Sequence, residues 1–352
     1  MADCAVMQGY LFEPGKRPCQ RTRHAIVQSV RNDRLQVSMT EKPPTGSGLA
    51  HLQQVLVIAA MFGAVFWMWW FWPHPGWVIT GAVVFLFAHA VVLAIECVIA
   101  ATINRSDPAP TAGWKAWLGA WWSETRVAPM VFAWRQPFCW RQLPDNETPA
   151  AGTASTAVVL VHGFVCNRGL WLPWMKALRA QQIPYVSVNL EPVFGSIDAY
   201  DALIEEAVCR AERLTGRRPV VVCHSMGGLA VRAWLARQSY RSRVGAVITI
   251  GTPHRGTWLG RLSRVTNGRQ MQPGCDWLEA LEKLERAQSP SPYAHFVCWY
   301  SNTDNIVFPA STATLPGADN RLVAGAAHVA MAFHPVVMTE TMALVNAQAE
   351  RA

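Results

Sequence analysis

Two long apolar runs dominate the first third of the chain. Val55 to Trp72 holds 18 residues without a charge, and Pro73-His74-Pro75-Gly76 follows as a turn signal. From Trp77 to Ile103 the next 27 residues are apolar apart from His89, Glu96 and a few small polar groups. At about 1.5 Å of rise per residue, each run reaches across a hydrocarbon core of ~30 Å, the first only just. Neither helix has the polar face that a hairpin packed on a water-soluble domain would carry. The pattern predicts a transmembrane helical hairpin over residues 49–104.

The flanks give the hairpin a direction. Lys16, Arg17, Arg21, Arg23, Arg31, Arg34 and Lys42 precede it, and Arg105, Lys115, Arg126, Arg135 and Arg141 follow it, while the turn has no Lys or Arg. The positive-inside bias then puts both ends, and with them the rest of the chain, on the cytoplasmic side, as in a bacterial inner membrane. Trp67, Trp69, Trp70, Trp72 and Trp77 gather at the turn, where amphipathic rings favour the headgroup level. Folding about that turn would set Glu96 level with Gln53 and Gln54, which favours a structural hydrogen bond there or hydration at the interface. A proton relay through His89 and Glu96, seven residues apart on one helical face, is the competing reading.

Residues 105–155 form a Trp-rich juxtamembrane segment and a linker. Trp114, Trp117, Leu118, Trp121 and Trp122 make one helical stripe, suited equally to lying on the membrane surface or to packing on the following domain. Pro144 to Ser155 reads as a linker. Residues 1–48 form a polar, disordered leader, and Met39 is an alternative start for the chain after an untranslated 1–38.

The pattern then changes to short β-branched runs alternating with helical periodicity over residues 156–352. Strands are expected at Thr156–Val161, Tyr185–Asn189, Pro219–Cys223, Val244–Ile250, His295–Tyr300 and Arg321–Ala324. Helices are expected at Trp171–Gln182, from Ser196 through Thr215, and at Met226–Gln238. This alternation implies a doubly wound, mostly parallel α/β sheet. Trp258 to Ser291 breaks the rhythm and is expected to form a helical cap insertion, at about 256–293, that shapes the pocket.

Composition narrows the function classes. Apolar residues make up 51% and charged residues 15%, and 11 of the 17 tryptophans precede residue 145, so the apolar excess belongs to the front of the chain. The net charge of +8 is scattered, with no zinc-finger spacing, aromatic RNA-binding motif or long basic run, which argues against nucleic acid. Nine widely spaced cysteines without a CxxC pair argue against a disulfide framework or structural zinc. No HExxH, paired-carboxylate or glycine-rich phosphate loop is present, so no metal or cofactor is implied.

Candidate chemistry centres on Cys223-His224-Ser225-Met226-Gly227. A serine between a β-branched run and a helix opened by Gly227-Gly228 is held on a sharp, strained turn that presents its hydroxyl, with a helix N-terminus where an oxyanion would form. Cys223 departs from the usual small first residue, glycine. A serine nucleophile needs a base, and the base needs an orienting carboxylate. Asp304 follows the fifth expected strand, where α/β sheets gather their sites. Of the histidines after it, His328 follows a small-residue loop, Gly325-Ala326-Ala327, and is preferred to His334, which precedes a proline. Backbone N–H groups of Met226 and Phe164 are the candidate oxyanion donors, with His162 organising that loop.

With these residues in place the chain resembles the α/β-hydrolase superfamily, and within it the bacterial lipase and esterase group. The likeness is carried by LVHGF (Leu160–Phe164), VVVCHSMGGL (Val220–Leu229) and ITIGTPHRGT (Ile248–Thr257), with Gln270–Cys275 beside them. It covers roughly 157–345 and not the hairpin, and it implies an acyl-serine intermediate and lipid or other ester substrates. His254 is expected as a structural turn residue. The expected function is a membrane-anchored carboxylic ester hydrolase. Acyl transfer, thioester cleavage and a non-catalytic membrane scaffold are the alternatives, and the sequence leaves the oligomeric state open.

Overall fold

The computed structural model describes residues 46–147, 156–238, 243–289 and 291–351. The 1–38 leader, its alternative start at Met39 and most of the linker therefore lie outside the described residues.

Six strands form one sheet: β1 Val158–Val161, β2 Tyr185–Ser187, β3 Val220–His224, β4 Ala246–Ile250, β5 Phe296–Tyr300 and β6 Asp319–Leu322. Their order is β2-β1-β3-β4-β5-β6, and every neighbouring pair is parallel. Successive side chains on a strand point to opposite faces, and both faces are apolar here. Val159, Val161, Val221, Cys223 and Val247 enter the core under α5 (Asp201–Thr215) and α6 (Met226–Ala236). Val158, Leu160, Val220, Val222 and Ile248 enter the other core, against Trp174, Met175 and Leu178 of α4 (Leu172–Ala180). Met342 and Val345 of the last helix join that second core. The sheet is thus doubly wound as expected. β6 begins two residues earlier than its pattern indicated, as a largely exposed edge strand.

The segment expected as a cap is helical, with α7 (Thr266–Gln270) and α8 (Asp276–Gln288), but it forms the β4–β5 crossover. Leu281 of α8 packs on Ala233 and Ala236 of α6. Beneath that contact Arg232 and Glu285 form a buried ion pair at 2.7 Å, with the Tyr293 hydroxyl donating to Glu285 at 2.7 Å. The chain ends with α9 (His328–Met331) and α10 (Pro335–Arg351).

The apolar front is helical throughout: α1 Gly48–Trp70, α2 Pro75–Ile103 and α3 Trp114–Pro129, the last continuing as a π-helical stretch over Met130–Cys139. By length and composition three helical stretches could cross a membrane, Gly48–Trp70, Pro75–Ser106 and His328–Glu350. The third buries 44% of its apolar window against 17% and 11% for the others, and it supplies the sheet's core, so it belongs to the α/β unit. On α1 and α2 large apolar side chains face outward, among them Phe62, Trp69, Leu86, Val91 and Val98. The two helices meet closely where Trp67 lies over Gly81, and the Trp67 indole donates to Trp77 O at 2.9 Å.

Among the described residues, the one stripe residue with a side-chain hydrogen bond, Trp121, meets the hairpin helix α2 rather than the α/β domain. Trp114, Leu118 and Trp122 face outward, whereas Trp121 donates to Ala90 O at 2.7 Å and Ala120, Glu124 and Thr125 are buried. The expectation for Glu96 is corrected. Gln53 donates to Gln136 at 2.9 Å and Gln54 to Pro137 O at 2.6 Å, both on the π-helical stretch, while Glu96 accepts from Asn305 on the loop after β5.

The tightest packing in the sheet lies where α6 crosses β1. A Cβ at Gly227 would stand 2.6 Å from Val161 O and closer still to His162 O. Backbone cannot yield as a side chain tip can, so Gly227→Ala is expected to cost roughly 1–3 kcal/mol. Thermal unfolding in detergent would show a midpoint several degrees lower, and an unchanged midpoint would mean that the β1–α6 gap opens freely.

Candidate active site

Ser225 stands between β3 and α6 with φ 54° and ψ −131°, a backbone conformation a β-carbon disfavours. The strain is held from both sides. Ser225 N donates to Ile250 O at 2.9 Å, and its carbonyl accepts from Gly228 N at 3.1 Å. Glycines clear the surrounding space, since a Cβ at Gly163 would lie 2.6 Å from the Ser225 Cβ. The Cys223 departure does not reach this turn, because its side chain lies in the core under α6.

Asp304 and His328 are brought together. Asp304 Oδ2 and His328 Nδ1 are 2.9 Å apart, both residues buried. The other carboxylate oxygen accepts from Ile306 N at 2.9 Å and Val307 N at 2.8 Å, which fixes the direction of the pair. Burial works against the imidazolium of His328, but the neighbouring Asp304 carboxylate outweighs it and the pKa rises. Gly251, at φ 58°, gives the pair its room: a Cβ there would be 3.1 Å from His328 Nδ1 and 3.2 Å from Asp304 Oδ2. His334 lies outside this arrangement, among the residues before α10.

The loops around the pair are stitched to one another and to the N-terminal helices. Asn302 Oδ1 accepts from Gly325 N at 3.1 Å, and the Thr303 hydroxyl donates to Ala326 O at 3.1 Å. Asn305 Oδ1 accepts from His328 N at 3.1 Å, while its amide donates to Glu96 Oε2 of α2 at 2.8 Å. Glu124 of α3 accepts from Val329 N and Ala330 N, each at 2.9 Å. Burial pushes the Glu124 carboxyl up to about 7 even against those two donors.

Ser225, His224 and His328 line one cavity of about 770 Å³ with Phe164, Cys166 and Asn305. Its other walls come from α2, through Phe85, Leu86, His89, Val92, Leu93 and Glu96, and from α3 with the π-helical stretch, through Glu124, Pro129 and Phe132. No residue of 256–293 is among its lining residues, which corrects the expectation that this insertion shapes the pocket. His89 reaches Thr125 O at 3.1 Å, a structural contact within the cavity wall. Phe164 borders the cavity and packs edge-on to Phe194, and Met226 opens α6 directly after the serine.

Three other histidines are structural. Leu190 N donates to His162 Nε2 at 3.0 Å, so its Nδ1–H donates to Gly163 O at 3.0 Å and orders the Phe164 loop. His254 is buried against the Thr249 hydroxyl at 3.0 Å. His224 stacks its ring 4.7 Å from that of His328. Sequence reasoning missed Glu124, Asn305 and Gly251; the positive φ of Gly251 had a signal in the residue type alone.

A fully parallel sheet with a serine at a strained strand-to-helix turn and an Asp–His pair on the loops beyond β5 and β6 is the architecture of the α/β-hydrolases. Residues 158–341 match the family model described as Alpha/beta hydrolase family, and the chain belongs to that family. Among solved structures it is similar to the mature lipase BlEst2 of Bacillus licheniformis, at 18% identity over 57% of this chain and 95% of that one, TM-score 0.48. It is also similar to lipase B of Aspergillus fumigatus, at 18% identity over 54% and 53%, TM-score 0.46. A monoacylglycerol lipase of Paleococcus ferrophilus matches at 16% identity over 58% and 96%, TM-score 0.42. No curated protein matches the sequence.

Burial lowers the pKa of His162 to about 4 and of His224 to about 3. Unfolding exposes them near 6.5, so below that pH the unfolded chain takes up protons that the folded chain refuses. The contribution of these two rings is full above about 6.5 and falls as pH drops toward 4, by about 1.4 kcal/mol per pH unit for each ring, while Glu124, raised to about 7, offsets about one ring over that range. Thermal midpoints in detergent between pH 7 and pH 4.5 should decline, and less steeply in His224→Asn. An equal slope in the variant would mean that His224 is not buried neutral.

Proposed function

We propose that the protein is a membrane-anchored serine hydrolase that cleaves carboxylic esters through an acyl-serine intermediate. The observation that carries this reading is the Asp304–His328 pair at 2.9 Å, whose histidine shares one cavity with a strained Ser225. His328 Nδ1–H donates to Asp304, which leaves Nε2 as the lone-pair nitrogen able to accept the serine proton. Ser225 Oγ attacks the ester carbonyl while His328 takes that proton. The Met226 and Phe164 amides receive the oxyanion, and His328 returns the proton to the leaving alcohol. Water, deprotonated by the same histidine, then attacks the acyl-serine and frees the acid. Asp304 stays ionised throughout and holds the imidazole tautomer.

The cavity walls support an apolar acyl chain as substrate. Phe85, Leu86, Val92 and Leu93 come from a helix that also leaves large apolar side chains such as Val91 and Val98 exposed, the arrangement expected of a span in lipid. In this reading α1 and α2 tether the domain to a bilayer, with the α/β unit on the cytoplasmic face.

The full-length protein in detergent should label with a fluorophosphonate and hydrolyse p-nitrophenyl esters, with medium or long acyl chains preferred to acetate. Ser225→Ala should lose both. Asp304→Asn should keep its fold and lose roughly 10³- to 10⁴-fold in kcat. A wild type that neither labels nor turns over ester, or a Ser225→Ala that labels equally, would remove the hydrolase reading and favour a scaffold.

A further inference from the structure

The matched family region begins at residue 158, yet two carboxylates from before it reach the base. His328 has its ring on Asp304, and three backbone N–H groups in a row, at His328, Val329 and Ala330, decide where that ring can sit. None of the three goes to the sheet. His328 N–H goes to Asn305 Oδ1, whose own amide is held by Glu96 of α2 at 2.8 Å. The next two go to the two oxygens of Glu124 on α3, a residue 2% exposed. Each carboxylate spans a sequence gap of more than 200 residues to do so.

We propose that Glu96 and Glu124 are positioning residues for His328, so that the N-terminal helices form part of the catalytic apparatus as well as its anchor. The proposal rests on the reading that His328 is the general base. Orientation is the first part of their action: an imidazole displaced by about 1 Å loses on the order of 10²-fold in rate. Charge is the second. Glu96, and Glu124 once it ionises near pH 7, favour the imidazolium that forms when Ser225 attacks, adding to Asp304. The other titratable groups around the ring do not supply that charge. His224, 4.7 Å away, is held neutral by burial, and burial pushes the Cys166 thiol up to about 12. His89 in the cavity wall is committed to Thr125 O.

The alternative is that the two carboxylates only glue the helices to the domain. Kinetics separate the two roles. Full-length protein in detergent micelles is assayed with p-nitrophenyl butyrate from pH 5 to 9, as wild type, Glu124→Gln, Glu124→Ala, Glu96→Gln, Glu96→Ala and Asn305→Ala. Positioning predicts kcat lower by roughly 10- to 100-fold in the alanine variants, with KM within about twofold. Glu96→Gln, which keeps an acceptor for Asn305, should recover most of that loss. Because the Glu124 carboxyl is pushed up to about 7, its charge acts only on the upper part of the acid limb of kcat/KM, and that part should move to lower pH in Glu124→Gln. Glu96→Ala combined with Asn305→Ala should be no worse than either alone, because both act on one bond chain.

The inference is overturned if folded Glu124→Gln and Glu96→Ala keep wild-type kcat and acid limb, even with a lowered thermal midpoint. If an alanine variant does not fold, the two glutamine variants carry the test through the acid limb and the rate of fluorophosphonate labelling at Ser225. A wild type without hydrolysis or labelling defeats the triad itself. An active wild type with unaffected variants defeats this inference alone.

Discussion

Everything at the site depends on how closely β1, β3 and α6 approach one another. The turn at Ser225 can hold its disfavoured backbone because Gly163 and Gly227 leave no side chain between the strands and the helix. Local strain of this kind costs about 1–3 kcal/mol and persists only where surrounding contacts over-determine it. Here those contacts are the sheet hydrogen bond to Ile250, the turn bond to Gly228 and two fully apolar cores on either face. The serine is exposed to chemistry because the sheet is rigid, and the sheet is rigid because both of its faces are filled by Val, Leu, Ile and Trp.

Onto that fixed point the loops bring mobile chemistry under control. Asp304 is aimed by two backbone amides on one oxygen so that the other can face His328. Asn302, Thr303 and Asn305 then sew the acid loop to the histidine loop. The buried side chains of Asn302, Thr303, Asp304 and Asn305 all have partners, as a low-dielectric interior favours. The rest of the cavity lining comes from α2, α3 and the π-helical stretch, so one wall belongs to the apolar front of the chain.

Much of this was legible in order along the chain. β-branched runs such as Val158–Val161 and Val220–His224 declare strands buried on both faces, and Ser225 is marked by what stands immediately before and after it. Asp304 and His328 followed from chain order and from the loops they occupy, and the structure sets them 2.9 Å apart. What failed was any relation between distant segments. Helical periodicity identified α8, but periodicity does not say which neighbour a helix covers, and the insertion went to α6 and left the cavity open to α2. Glu96 was placed by folding the hairpin in isolation, which sets it beside Gln53 and Gln54. A third partner, Asn305, altered that balance because a half-buried carboxylate is better satisfied by a donor in the domain. Glu124 carried no signal, being one acidic residue among tryptophans.

The bond from Glu96 to Asn305 closes a loop of 209 residues, and those from Glu124 to Val329 and Ala330 close loops of 205 and 206. Chains emerge N-terminus first, at about 5–20 residues per second, so the acceptors are made some ten seconds or more before their donors. Contacts of such high order form late, after the local elements have condensed. The histidine loop therefore comes to rest only after Ala330 has been made and has met the helices that carry Glu96 and Glu124. A nascent or truncated chain that already displays the serine turn has no settled imidazole beside it.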